Sequence, residues 1–218
     1  MSGDWPVLWL CGPSGVGKTS VGWEIFTRVH RAGITAGCVD ADQLGFCYPA
    51  PADDPETHRV KAAAFGAVAG VHRAAGARCL VLSGGVQRAA EVQAYASALA
   101  RGVPGSVLTV CRLRAEPEEL RARFLGRGWR PELLEENLAG AAALERSGFA
   151  DLVLDTTGLT VSEVARRVEA EAGAWPWGGA GGPDGPEPVQ RDGGPVPLDQ
   201  VPRPAPPHDG AAPGLSRS

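Results

Sequence analysis

Eight consecutive residues carry the strongest chemistry in this chain. Gly12-Pro-Ser-Gly-Val-Gly-Lys-Thr19 fits G-x-x-x-x-G-K-[ST] at every fixed position. Glycines let a backbone wrap a phosphate, and the N–H groups that open the following helix point at it. Lys18 reaches the β- and γ-phosphates as a point charge, and the Thr19 hydroxyl is placed to hold Mg2+. Gly12, Pro13, Ser14, Gly15, Val16, Gly17, Lys18, Thr19 and Ser20 therefore form the candidate ATP-binding run.

Two carboxylates follow. Asp40 and Asp42 stand two residues apart after a second apolar run, and extended backbone there would send both side chains to one side, facing the phosphate. One could act through a Mg2+-bound water and the other on an acceptor hydroxyl. Capping of a loop is the other use such aspartates have. Arg121, Arg123, Arg127 and Arg130 cluster further on, the last two within Gly126-Arg-Gly-Trp-Arg-Pro131. A loop of that composition suits a lid that closes over a triphosphate and neutralises transferred charge. The candidate catalytic set is Lys18, Asp40, Asp42, Arg127 and Arg130, with Thr19 and Asp40 the candidate Mg2+ ligands.

Rival nucleotide chemistries fit less well. A GTPase would carry N-K-x-D, which is absent, and Asp42-Gln-Leu-Gly45 matches D-x-x-G only formally. Leu82-Ser-Gly-Gly85 resembles an ABC signature, but Val86 interrupts it. AAA-type modules need a longer chain and an Asp-Glu pair. A small-molecule kinase remains. Its rival from another class is a regulatory or accessory protein that binds or hydrolyses ATP and contacts a partner through its tail.

These residues need a scaffold. Apolar runs at 7–11, 35–39, 78–82, 106–113 and 152–154 alternate with helical segments at 18–31, 56–75, 88–101, 116–125, 132–146 and 160–172. Continuous rather than alternating apolar runs predict an α/β fold: a parallel sheet with helices on both faces. Ligands bind beyond the carboxyl ends of such strands, where Gly12-Pro-Ser-Gly, Asp40-Ala-Asp42, Ser83-Gly-Gly85, Arg112, Arg114 and Asp155-Thr-Thr157 collect. Residues 45–55 form a long loop with three prolines and the aromatics Phe46 and Tyr48.

Composition bounds the rest. The 218 residues carry a net charge of −4, and 1–175 hold 18 Lys+Arg against 20 Asp+Glu with no like-charge block. No nucleic-acid or membrane patch is expected. No apolar run has the length of a membrane span and no secretory signal is present, so a cytoplasmic protein is expected. Five cysteines without C-x-x-C spacing are expected as free packing thiols. Residues 176–218 carry 11 Pro and 9 Gly and are expected to be a disordered tail after a 1–175 domain. Oligomeric state is not legible.

Residues 1–172 resemble the P-loop small-molecule kinases, a group that includes shikimate, gluconate and adenylylsulfate kinases and chloramphenicol phosphotransferase. The resemblance rests on Gly12–Thr19, Asp40-Ala-Asp42, Ser83-Gly-Gly85, the helix with Arg123, Arg130-Pro131 and Asp155-Thr-Thr-Gly158. It implies a three-layer P-loop NTPase fold with a five-stranded parallel sheet of order 2-3-1-4-5. It implies ATP and Mg2+, and a small-molecule acceptor (a nucleoside or nucleotide, adenylylsulfate, a sugar acid or an antibiotic hydroxyl). Asp40 and Asp42 would contact Mg2+ water and acceptor, Gly84 and Gly85 would line the acceptor pocket, Arg123 would pack by adenine, and Arg127 or Arg130 would meet the phosphates. Two departures point away from shikimate. Val86 stands where shikimate-type enzymes have a third glycine, and Ala139-Gly-Ala-Ala-Ala143 replaces an arginine-bearing turn. Arg59 could still bind an acceptor anion.

Overall fold

Five short apolar segments assemble the sheet: β1 (Trp5–Cys11), β2 (Ala36–Asp40), β3 (Cys79–Ser83), β4 (Ser106–Arg114) and β5 (Leu152–Asp155). All pair in parallel, in the order β2-β3-β1-β4-β5. The computed structural model describes residues 4–128, 130–173 and 175. The expected tail at 176–218 lies outside the described residues, which all fall within the first of two contact-defined units, Met1–Gly185.

Among the described residues six helices cover the sheet: α1 (Lys18–Arg31), α2 (His58–Ala74), α3 (Ala89–Gly102), α4 (Pro117–Gly126), α5 (Leu134–Glu145) and α6 (Val161–Glu171). Strand alternation divides the core into two. Trp5, Val7, Trp9 and Cys11 of β1 face Phe65 and Ala69 of α2 and Tyr95 and Leu99 of α3. Leu8 and Leu10 face Val21 and Ile25 of α1, Leu120 of α4 and Val164 and Val168 of α6. Both indoles on β1 meet carbonyls. Trp5 Nε1 donates to Ala77 O at 2.7 Å and Trp9 Nε1 to Gly84 O at 3.3 Å, so buried tryptophans leave no orphan donor there.

Doubly covered strands match the expectation only at the centre. β1 and β3 are almost wholly buried, but the edge strands β2 and β5 are partly open, with Val153 exposed. An edge strand has one neighbour fewer to cover it. Cys38, on β2, is accordingly half-buried rather than buried, and Cys11, Cys79 and Cys111 are buried; all five thiols are free. Burial pushes Cys11, Cys79 and Cys111 up to about 12, which makes them packing groups rather than nucleophiles. The segment expected as one helix from 132 to 146 opens instead as a 3-10 turn, Pro131–Leu133, before α5. A capping box opens α6, with Thr160 Oγ1 accepting from Glu163 N at 3.3 Å and Glu163 accepting from Thr160 N at 2.8 Å. Among the described residues no helix is long and apolar enough to cross a membrane.

Candidate active site

The glycine-rich loop joins β1 to α1, as its sequence demands. Gly12 has φ +136°, and a Cβ there would lie 2.3 Å from Leu113 O of β4. Only glycine meets both conditions, conformational and steric. Gly17, also at positive φ, hands the chain to α1. Pro13 and Val16 are buried beneath the loop, Ser14, Gly15, Gly17 and Lys18 are half-buried, and Thr19 and Ser20 are exposed at the helix start. The Lys18 ammonium lies back on its own loop, donating to Gly12 O and Pro13 O, each at 3.0 Å. Burial lowers its pKa below the ordinary 10.5, and Arg127 pushes the same way; Asp42, Cys11 and Asp40 pull against them, Asp42 most.

Asp40 closes β2 with its carboxylate turned towards the loop. Asp40 Oδ2 accepts from Thr19 Oγ1 at 3.1 Å and from Ser83 Oγ at 3.4 Å. A hydroxyl and a carboxylate are hard oxygen donors, the set Mg2+ takes together with phosphate oxygens and water. Among the described residues no group of three His, Cys, Asp or Glu could hold a metal without such outside ligands.

Asp42 is reached differently from the expectation. The backbone does not stay extended through 42, because Asp40 Oδ1 accepts from Asp42 N at 2.9 Å and bends the chain into a 3-10 turn, Ala41–Gly45. Both predicted uses thus meet in Asp40, which caps this turn while its other oxygen faces Thr19. Ala41 is wholly buried under Gly84, where a Cβ would lie 2.6 Å from the Ala41 methyl. Gly84 therefore lets β3 and the turn approach. A Cβ on Gly85 would meet nothing within 4 Å. Asp42 lies close enough to Lys18 to act on its charge, and its Oδ1 is 3.5 Å from Lys61 Nζ of α2.

The arginines separate. Arg127, just past α4, donates to Ser14 Oγ at 3.2 Å and so lies over the phosphate loop. Arg123 donates to Thr156 Oγ1 and to Thr156 O, each at 2.9 Å, and also pairs with Glu119. It fixes α4 to the loop after β5. Arg121 pairs with Glu135 at 3.2 Å. The described contacts do not bring Arg130 to the loop: it is exposed, at φ 50°, and pairs with Glu132 at 3.1 Å. Arg59 is likewise exposed and pairs with Asp53 at 2.7 Å.

Sequence reasoning missed several side chains at or near this site. Asn137 of α5 braces the loop from outside, its Oδ1 accepting from Ser14 N at 2.9 Å and its Nδ2 donating to Ser14 O at 3.0 Å. A polar residue of poor helix propensity inside an alanine-rich helix was the available signal. The far end of α5 is anchored by Glu145, which pairs with buried Arg112 at 2.9 Å. Lys61 could have been suspected as one of only two lysines in the chain. Glu91, buried at the start of α3, accepts from Gln87 N at 2.8 Å and Arg88 N at 3.2 Å. Burial pulls its pKa up, but these bonds, the Arg88 side chain and nearby His58 hold it below the ordinary 4.5. Near Glu91 and Asp42 the Tyr95 hydroxyl is buried without a partner, its pKa pushed up by burial and by those carboxylates.

No protein-family model matches this chain, nor does any curated protein. Solved structures do. The tunicamycin resistance protein of Deinococcus radiodurans superposes with a TM-score of 0.56 at 22% identity, over 77% of this chain and 95% of that one. A gluconokinase from Sinorhizobium meliloti 1021 gives 0.51 at 21%, over 78% and 92%. Shikimate kinase from Acinetobacter baumannii, in complex with shikimate, gives 0.51 at 16%, over 75% and 90%. With the sheet order and the β1–loop–α1 unit, these likenesses establish that the chain has the P-loop NTPase fold.

Proposed function

We propose that this protein is a kinase that transfers the γ-phosphoryl group of ATP to a hydroxyl of a small-molecule acceptor, with Mg2+. The observation that carries the reading is the convergence of Thr19, Asp40, Asp42, Lys18 and Arg127 on one loop. Mg2+ would be held through Thr19 and Asp40, and would supply charge neutralisation across the phosphate oxygens. Loop N–H groups and Lys18 bind and orient the triphosphate. To do so Lys18 leaves the carbonyls of Gly12 and Pro13 for phosphate oxygens. Arg127 adds positive charge over the same loop. Asp42 takes the acceptor's hydroxyl proton as the new oxygen–phosphorus bond forms. The bond from the γ-phosphorus to its bridging oxygen breaks, and its electron pair leaves with ADP. Arg123 would border the adenine, and Gly84 and Gly85 the acceptor. The cytoplasm is the proposed setting.

The test is a screen of small hydroxyl-bearing metabolites for ADP release from MgATP. One class should stimulate release, and Asp42→Asn should abolish the stimulation while nucleotide binding, followed by titration with a fluorescent ATP analogue, persists. Slow release that no metabolite changes would replace phosphotransfer with nucleotide-dependent regulation.

A further inference from the structure

We infer that Lys61 is the positioning residue for Asp42, an inference that rests on the phosphotransfer reading. Three separate segments build the arrangement. Asp42 stands on the short 3-10 turn, with its side chain 55% exposed. Lys61 stands on the early part of α2, with its side chain only 16% exposed and its Nζ 3.5 Å from Asp42 Oδ1. Gly45, at the end of the turn, gives the lysine its path. A Cβ at 45 would lie 2.3 Å from Lys61 Cε and 2.9 Å from Lys61 Cγ. The lysine stem therefore runs across the bare face of Gly45, where a side chain would push it and Thr57 Oγ1 aside, and its charge emerges at the carboxylate.

The consequence is geometric. An aspartate on an exposed turn has several rotamers open to it, and proton abstraction works only from the one within hydrogen-bond reach of the acceptor. A misplacement of a few tenths of an ångström to 1 Å is enough to slow transfer severely. A cation withdrawn from most of its solvent gains from a partner, so the half-buried Lys61 ammonium holds the Asp42 carboxylate as much as the carboxylate holds it. The two lysines of the chain thus both meet this corner, Lys18 from the phosphate loop and Lys61 from α2.

The experiment measures ADP release from MgATP with water as acceptor, in the full chain, together with the melting temperature. Lys61→Met should lower the rate at saturating MgATP about fivefold, the effect of one aimed ion pair, with the KM for ATP and the melting temperature unchanged. Lys61→Arg should restore most of the rate. Gly45→Ala, which keeps Lys61 but closes its path, should reproduce Lys61→Met. In an Asp42→Asn background Lys61→Met should add nothing. Lys61→Met at the wild-type rate, or an undiminished fivefold loss on top of Asp42→Asn, overturns the inference and leaves phosphotransfer standing. So does a rate loss that tracks a lowered melting temperature. If Gly45→Ala fails to fold, the Met and Arg variants and the Asp42 background still decide. Asp42→Asn at the wild-type rate with water overturns this inference as well, because Asp42 would then not act on the attacking oxygen; the phosphotransfer reading itself stands or falls with the metabolite-stimulated release.

Discussion

The glycine-rich loop and the surroundings of Asp42 are built on opposite principles. The first, the proposed phosphate side, is backbone: one loop between β1 and α1, shaped by Gly12 and Gly17, with Lys18 and Thr19 as its next two side chains. The second, the proposed acceptor side, is side chains drawn from distant segments: Asp42 from the 3-10 turn and Lys61 from α2, with Glu91 and Tyr95 of α3 nearby. Backbone amides bind the phosphates of any nucleotide in the same way. Side chains assembled by packing can be exchanged one at a time, so the acceptor side is where selectivity can differ between proteins of one fold.

Variants on the two sides should therefore fail in different ways. The largest effect is expected from Lys18→Ala, which removes the loop's own charge, the one proposed to reach the transferred phosphate. ADP release should fall by ~10²–10³-fold, about 3–4 kcal/mol in transition-state terms, with the fold intact by circular dichroism. An unaltered rate would mean that the loop binds phosphate without acting on it. Next comes Gly12→Ala, in which a methyl group meets Leu113 O at a φ of +136°. Destabilisation of about 2–3 kcal/mol with loss of nucleotide binding is expected, read by urea melts and nucleotide titration. Asn137→Ala removes two hydrogen bonds to Ser14 and should cost about 1–2 kcal/mol, appearing as weaker ATP binding with acceptor affinity unchanged. If acceptor affinity fell instead, the division between the two sides would not hold.

Glu91→Gln probes the start of α3, near Asp42's surroundings. Its lowered pKa means that the charged form contributes stability above pH 4.5, and that this contribution disappears as pH falls through the lower folded-state value. Above pH 4.5 the variant should melt about 2–4 °C below the parent, and the gap should narrow as pH drops further. A gap that stays constant down to pH 3 would assign the loss to packing rather than charge. Arg130→Ala is expected to do least. Its exposed pair with Glu132 contributes little, so neither the melting temperature nor the rate should move, whereas Arg127→Ala should weaken nucleotide binding.

Much of this molecule could be read before its coordinates. Periodicity located the strands and helices to within a few residues, because β1 and β3 are buried runs and Gly33 and Gly76 stop helices at positive φ. The turn after Asp40 could not be read, because the competition between extended pairing and a carboxylate accepting its own Asp42 amide is settled only once Ala41 packs under Gly84. The arginines after β4 were visible as a group. Which of them faces the phosphate loop depends on the course of the chain beyond α4, where Arg127 reaches Ser14 and Arg130 turns to Glu132.

By itself the sequence determined the glycine-rich loop and the layered parallel architecture. A binding loop made of consecutive backbone amides is encoded where it sits, and apolar periodicity is a local property. Only the tertiary structure decided what surrounds Asp42. Whether Lys61 meets that carboxylate depends on the phase of α2, on the missing side chain at Gly45 and on the bend at Asp40. Their meeting is fixed by contacts between segments far apart in the chain, Ala41 under Gly84 and Lys61 across Gly45, and no short window of sequence contains it.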